Sequence, residues 1–489
     1  MNNLLVFPLI IPLLTAVVLI FSHRNIMMQR LISVLGSILT IAASVIIVFQ
    51  VRFEGIQTLF MGGWEPPYGI VFVADMFAAL LVLTTSVIGS ACIIFAFRSI
   101  GEEREKHYFY AFVQFLIAGV HGSFLTGDLF NLFVCFEVML IASYALIVLG
   151  GTRLQLKETL KYILINIISS TLFVAAVAYL YSITGTLNMA HLSSRIVEVG
   201  QGGIITVVAV LFLIVFALKA GLFLFFWLPG SYTAPPTVVK ALFGALLTKV
   251  GLYAIIRTFT LIFYHQPDVT HHLIGWMSIA TILLGGFGSI AYSDVNKIIN
   301  YNVLIGVGFI GIGIAAATQD SLNGIVYYLI HDMLAKALLY LLGGMLVVAA
   351  GTSDFKQMGG LIHRHPRLGW MFFITVMALV GVPPLSGFPG KLLILQGSFK
   401  AGEYLYAAVG ILSSLFVLYS LVRLFIGAFF GEETSVQKVA PIRGMLPAAG
   451  LLVLIIIIGI CSEWLLPYIS QAGDVLVNSD LYIESVLKE

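Results

Sequence analysis

The chain has 489 residues, of which 60% are hydrophobic and 10% charged, and its mean hydropathy is +1.05. A soluble domain carries roughly 25% charged residues, so this chain has too little polar surface to cover itself in water and reads as an all-α polytopic membrane protein. The formal net charge of +2 gives no ground for a nucleic-acid partner, and Cys92, Cys135 and Cys461 are too scattered for a metal motif, so no metal or cofactor is expected.

In chain order, MNNLLVFPLIIPLLTAVVLIF lacks a positively charged leader and a small-residue cleavage site, and reads as a first span and not a cleaved signal peptide. A span needs about 20 mostly apolar residues. On that rule about fourteen spans start near Leu4, Leu31, Val73, Tyr108, Leu129, Leu160, Thr206, Val238, Leu273, Lys297, Leu322, Leu368, Leu405 and Met445. The connections are short and hold no soluble domain. The tail after Leu466 is the one polar terminus and is expected to form a short surface helix.

Lysine and arginine set the orientation. With the N-terminus outside, the inner loops hold roughly fifteen, from Arg24 and Arg30 through Lys240, Lys297 and Lys356 to Lys438 and Arg443, against four on the outer side. Both termini are then outside a bacterial plasma membrane.

Charges inside the spans are costly, roughly 2.5–3.5 kcal/mol each at mid-bilayer on insertion scales. Five lie deep on separate helices: Glu137 in FVCFEVMLIA, Lys219 in LIVFALKAGLFLF, then Lys249, Lys336 and Lys391. Glutamate is too short to snorkel, so Glu137 must pair, be protonated or face a wet cavity, and Lys219 is its natural partner. A hydrated row of such groups can carry protons. Beside the row, Asp332 and Lys336 are i, i+4 on one helix face, where Asp332 tunes Lys336. His331, one residue earlier, looks another way and is a candidate relay. Arg257 and Arg423 lie near span ends, where they can snorkel. His121, His265, His271 and His272 read as interfacial.

Two spans are interrupted. WLPGSYTAPPT places Pro229, Pro235 and Pro236 after Lys219, and GVPPLSGFPGK places Pro383, Pro384 and Pro389 just before Lys391. Proline frees carbonyls that then need water or protein partners. The breaks fall in the seventh and twelfth spans, an odd offset that inverts one copy relative to the other. This is the pattern of inverted repeats around a central ion route. The division that follows is residues 1–106 (helices 1–3), 107–263 (first five-helix repeat), 272–431 (second, inverted repeat) and 443–489 (helix 14 and tail).

WLPGSYTAPPTVVKALFGALLTKVGLYAIIR, the Glu137 helix, HDMLAKALLYLLGG and GVPPLSGFPGK together resemble the antiporter-like proton-translocating family. That family includes the Mrp-type multisubunit sodium/proton antiporter subunits and the large membrane-arm subunits of respiratory complex I. GGWEPPYGIVFVAD and the overall length resemble its D-type Mrp subunits. The resemblance implies a proton pathway over Glu137, Lys219, Lys249, Lys336 and Lys391. In several relatives a histidine lies four residues before the eleventh-helix lysine; here Asp332 holds that place, leaving open whether it or His331 is the relay. It also implies a larger homologous subunit and small membrane subunits as partners, with membrane lipid around them; no carboxylate cluster in the sequence makes an obvious sodium site, so sodium is expected to bind elsewhere in the complex. The alternatives are a pumping subunit of a complex I-like dehydrogenase or membrane-bound hydrogenase, and a scaffold subunit without its own ion path.

Overall fold

The computed structural model describes residues 2–431 and 444–488. Lys438 and Arg443, counted above among the inner-loop cations, and with Arg443 the first residue of the last predicted segment, lie outside the described residues.

The chain is an all-helical, multi-pass membrane protein. Among the described residues ten helices are long and apolar enough to cross a membrane, eleven if one bent pair counts as a span. The longer helices are α1 (Phe7–Phe21), α2 (Ile26–Glu54), α3 (Met76–Ser99), α4 (Phe109–Leu125), α5 (Leu129–Val148), α6 (Arg153–Thr184), α7 (Ile204–Ala220) and α8 (Thr237–Leu261). They continue as α9 (Pro267–Ala291), α10 (Val295–Ala316), α11 (Gln319–Ala350), α12 (Pro366–Val380), α13 (Gly387–Lys400) and α14 (Tyr404–Phe430). The last three are α15 (Met445–Ile460), α16 (Ser462–Val477) and α17 (Ser479–Leu487). The most apolar windows of α8, α10 and α11 are 94%, 89% and 83% buried, against 33–39% for α1, α2 and α6. The first three are therefore the centre of the bundle, and Lys249, Arg257, Asp332 and Lys336 on them are buried.

The third span starts at Met76, three residues after the expected Val73, which itself lies in a strand. Residues Gln57–Phe60 and Val71–Ala74 form an antiparallel hairpin with Gln57 opposite Ala74, and α3 begins at Met76, capped by Asp75, whose carboxylate accepts from the Ala78 amide at 2.9 Å. VFVA is apolar and β-branched, and an apolar count alone cannot separate such a strand from the helix it adjoins.

His121 and His271 are buried, not interfacial; His265 and His272 are exposed. Pro12 inside α1 has no N–H to give to the Pro8 carbonyl. His121 Nδ1 lies 2.6 Å from that carbonyl and Nε2 3.3 Å from Ser86 Oγ. His271 contacts the Thr270 hydroxyl at 3.0 Å.

Both interruptions are present, but their prolines differ in role. After α7, Gly221 takes a left-handed φ of 75°, one short turn (Leu228–Ser231) carries Pro229, and α8 starts behind Pro236. After α12, Gly381 has φ 92° and Pro383 and Pro384 lie in the gap before α13. Pro389, predicted as a helix break, sits in the first turn of α13, where helix N–H groups are unpaired anyway and proline is tolerated.

In the tail, α16 starts at Ser462, bends 81° from α15 and packs on α11, while α17 packs against the short helix Met189–Val199 and the hairpin. One face of α17, with Tyr482 and Val486, is buried and the other, with Asp480, Leu481 and Glu484, is exposed, so the expected surface helix is present and packed onto the core.

Candidate functional site: a buried row of charges

The row begins on α5. Glu137 is half-buried, on the outer face of the bundle. Its expected direct pairing with Lys219 is replaced by a bridge. Ser170 of α6 donates its hydroxyl proton to Glu137 Oε1, and Lys219 Nζ donates to Ser170 Oγ at 3.3 Å. The Lys219 ammonium also lies 5.2 Å from the Phe136 ring centroid. Lysine and glutamate thus share one hydroxyl, whose oxygen accepts from the ammonium and whose hydrogen is given to the carboxylate.

Lys249 is completely buried and pairs with Asp332 at 2.8 Å. Its ammonium also donates to Gly244 O at 3.0 Å. That carbonyl lies in a π-turn over Phe243–Leu247, a local widening that disturbs the ordinary i→i−4 pairing and recurs at functional sites. Asp332 is therefore not merely a local tuner of Lys336. Its contact to Lys336 is 3.8 Å, longer than the cross-helix one. Lys336 donates to Asn302 O at 2.9 Å. One carboxylate is held between two lysines, each of which leans on a backbone carbonyl.

The far end of the row is built on the α12–α13 break. His331 Nδ1 lies 2.8 Å from Ser386 Oγ, and its Nε2 is buried with no hydrogen-bond partner among the described residues. A Cβ at Gly387 would come within 3.0 Å of that nitrogen; glycine keeps the space open. Lys391 donates to Val380 O and to Ser414 Oγ, both at 2.9 Å. Val380 ends α12, and terminal carbonyls are the ones a helix leaves free.

The structure thus brings Lys249, Asp332 and Lys336 together in direct contact. It sets His331 and Lys391 at one helix break and leaves Glu137 and Lys219 joined through Ser170. Among the described residues no cluster of three or more His, Cys, Asp or Glu could hold a metal ion. Sequence reasoning missed the three hydroxyls of Ser170, Ser386 and Ser414. It also misjudged Arg257, which does not snorkel. Arg257 Nη2 donates to Asp75 Oδ2 at 2.6 Å, both side chains buried, with its guanidinium 5.0–5.6 Å from the rings of Tyr482, Tyr253 and Phe77. Two signals could have found this pair: Asp75 is an N-cap residue before an apolar run, and Arg257 is two turns beyond Lys249 on the same helix face.

Residues 126–417 match the family described as NADH:quinone oxidoreductase/Mrp antiporter, TM. The chain belongs to this family. Within the NADH:quinone oxidoreductase/Mrp antiporter family it is 55% identical to the D-type Na(+)/H(+) antiporter subunit of Bacillus subtilis (strain 168), over the full length of both. It is 47% identical to the protein of the same description from Alkalihalophilus pseudofirmus, again over the full length of both. A chain of the Mrp complex from Dietzia sp. DQ12-45-1b superposes with a TM-score of 0.92 at 28% identity, covering all of both chains. The row described above lies wholly within the matched residues.

Proposed function

We propose that this chain is a proton-translocating subunit of a hetero-oligomeric Na+/H+ antiporter complex, a secondary-transport component and not an enzyme. The observation that carries the reading is Asp332 held between Lys249 and Lys336, all three buried in the helices at the bundle's centre. The names of its full-length relatives and the shape it shares with a chain of an Mrp complex support it.

When Lys249 has lost its proton, Asp332 turns to Lys336; a proton then taken up by the Lys249 amine draws Asp332 back to Lys249, and Lys336, left without its carboxylate, gives its own proton on through His331 to Lys391. The change at Lys249 is felt at Lys219, whose hold on Ser170 decides how strongly Glu137 is paired. Glu137 is half-buried at the surface of this chain, so it reports to a neighbouring subunit. Partners are a larger homologous subunit, small membrane subunits and lipid; sodium binds elsewhere in the complex.

The finer architecture belongs to the same proposal. It has fourteen spans, with inverted repeats over 107–263 and 272–431 flanked by 1–106 and 443–489, in a bacterial plasma membrane with both termini outside. The breaks after α7 and α12, each beside a buried lysine, and the loop charges support it. Lys249→Met in the assembled complex, reconstituted in vesicles, is expected to abolish Na+-dependent proton exchange. Normal exchange by that variant, or co-purification with NADH- or hydrogen-oxidising subunits, would contradict the reading.

A further inference from the structure

The row has to be loaded from one side of the membrane, and a second set of polar side chains leads to it. At the start of α10, Lys240 Nζ donates to Asn296 Oδ1 at 2.8 Å, and both residues are half-buried. One turn along α10, Asn300 is fully buried. Its amide donates to Pro229 O and to Thr233 Oγ1, each at 2.9 Å, and its carbonyl accepts from the Tyr340 hydroxyl at 2.7 Å. Tyr340, Lys336 and Asp332 follow one another at four-residue intervals on one face of α11. Asn296, Asn300, Tyr340, Lys336 and Asp332 therefore form one polar file, from a half-exposed mouth to the ion pair with Lys249.

Tyr340 is the narrow point of that file. Its ring packs where a side chain at Gly244 would stand, and Gly244 is the residue whose carbonyl holds Lys249. The ring is thus wedged between the Lys249 acceptor and the Asn300 amide. The hydroxyl hydrogen points at Asn300, away from the row. Asn300 is in turn fixed by Pro229 O, a carbonyl in the break after α7, and by Thr233. An amide carbonyl does not pass protons on at neutral pH, so a phenol committed to it closes the way.

We infer that Tyr340, clamped by Asn300, is a proton gate between the Lys240–Asn296 mouth and the Lys249–Asp332–Lys336 cluster, acting as a positioning residue and not as a carrier. The inference rests on the transport reading above and names its control point. It predicts a gain of conductance, which a folding defect does not produce. Release of the clamp shifts the gate toward the open state. The expected change is about fivefold, the population change that loss of one hydrogen bond brings.

The test uses the assembled complex in sodium-free vesicles, with passive proton leak after an imposed pH step normalised to the amount of intact complex. Tyr340→Ala is expected to raise the leak most. Tyr340→Phe and Asn300→Leu, which keep the neck filled but break the clamp, are expected to raise it about fivefold. If Tyr340→Ala does not assemble, the two milder variants decide. A wild-type leak in all variants that assemble overturns the gate. Na+-dependent exchange by the wild-type complex is measured first in the same vesicles. Its absence would sink the transport reading itself, separately from the gate.

Discussion

Helix α8 carries two buried ion pairs two turns apart, and they are built for opposite ends. Arg257–Asp75 is closed: one cation and one acid at 2.6 Å, roofed by Phe77, Tyr253 and Tyr482, with the acid also capping α3. Lys249–Asp332 is contested: the acid has a second claimant in Lys336 at 3.8 Å, and each lysine has a backbone carbonyl to fall back on. A guanidinium keeps its proton throughout the accessible pH range, whereas a buried ammonium can give its proton up. Burial of charge alone therefore does not mark a pathway. The number of partners competing for one group, and their ability to release a proton, separates a fastener from a relay.

The largest expected effect lies in the fastener. Asp75→Ala leaves Arg257 buried and uncompensated, at a cost of about 3–5 kcal/mol, with roughly 1 kcal/mol more from the lost helix cap. Thermal unfolding of the purified complex would register it, and a Tm within a degree of wild type would break the contrast. The conservative swaps sharpen it. Lys249→Arg keeps the charge but fixes the proton, so exchange is expected to fall about a hundredfold, equivalent to ~3 kcal/mol in the rate barrier, while the complex assembles. Arg257→Lys is expected to keep exchange and to lose about 1 kcal/mol of stability with the guanidinium fork. Initial rates of Na+-dependent proton movement in vesicles, beside melting curves, separate the two swaps. The smallest effect is expected from Ser170→Ala, which removes hydrogen bonds to two charged groups worth about 1.5–3 kcal/mol at most. It should slow exchange severalfold without reaching the Lys249→Arg level, and a rate unchanged from wild type would show that Glu137 and Lys219 do not communicate through that hydroxyl.

Much of this was legible in the sequence because charge inside an apolar run is rare. Glu137, Lys219, Lys249, Lys336 and Lys391 each announce themselves, and Pro229, Pro383 and Pro384 locate the two breaks beside them. What spacing cannot give is which groups meet across helices. Asp332 is i, i+4 from Lys336, so one-dimensional reasoning assigns it there, yet its shorter contact is to Lys249 on another helix. Ser170, Ser386 and Ser414 carry the remaining links, and serine is common in spans simply because it lets helices approach. Arg257 and His121 mislead because a position near the end of a span suggests water. The hairpin and the returning tail helices in fact cover that end of the bundle. Tyr340 and Asn300 give no signal at all, since a tyrosine and an asparagine in apolar helices read equally well as packing.

The most direct test of the account replaces the shared acid. Asp332→Asn preserves the shape and leaves Lys249 and Lys336 without a carboxylate between them. In vesicles holding the assembled complex, the account predicts that Na+-dependent proton exchange drops to the level of empty vesicles while subunit composition stays intact. Exchange at the wild-type rate in that variant would contradict it.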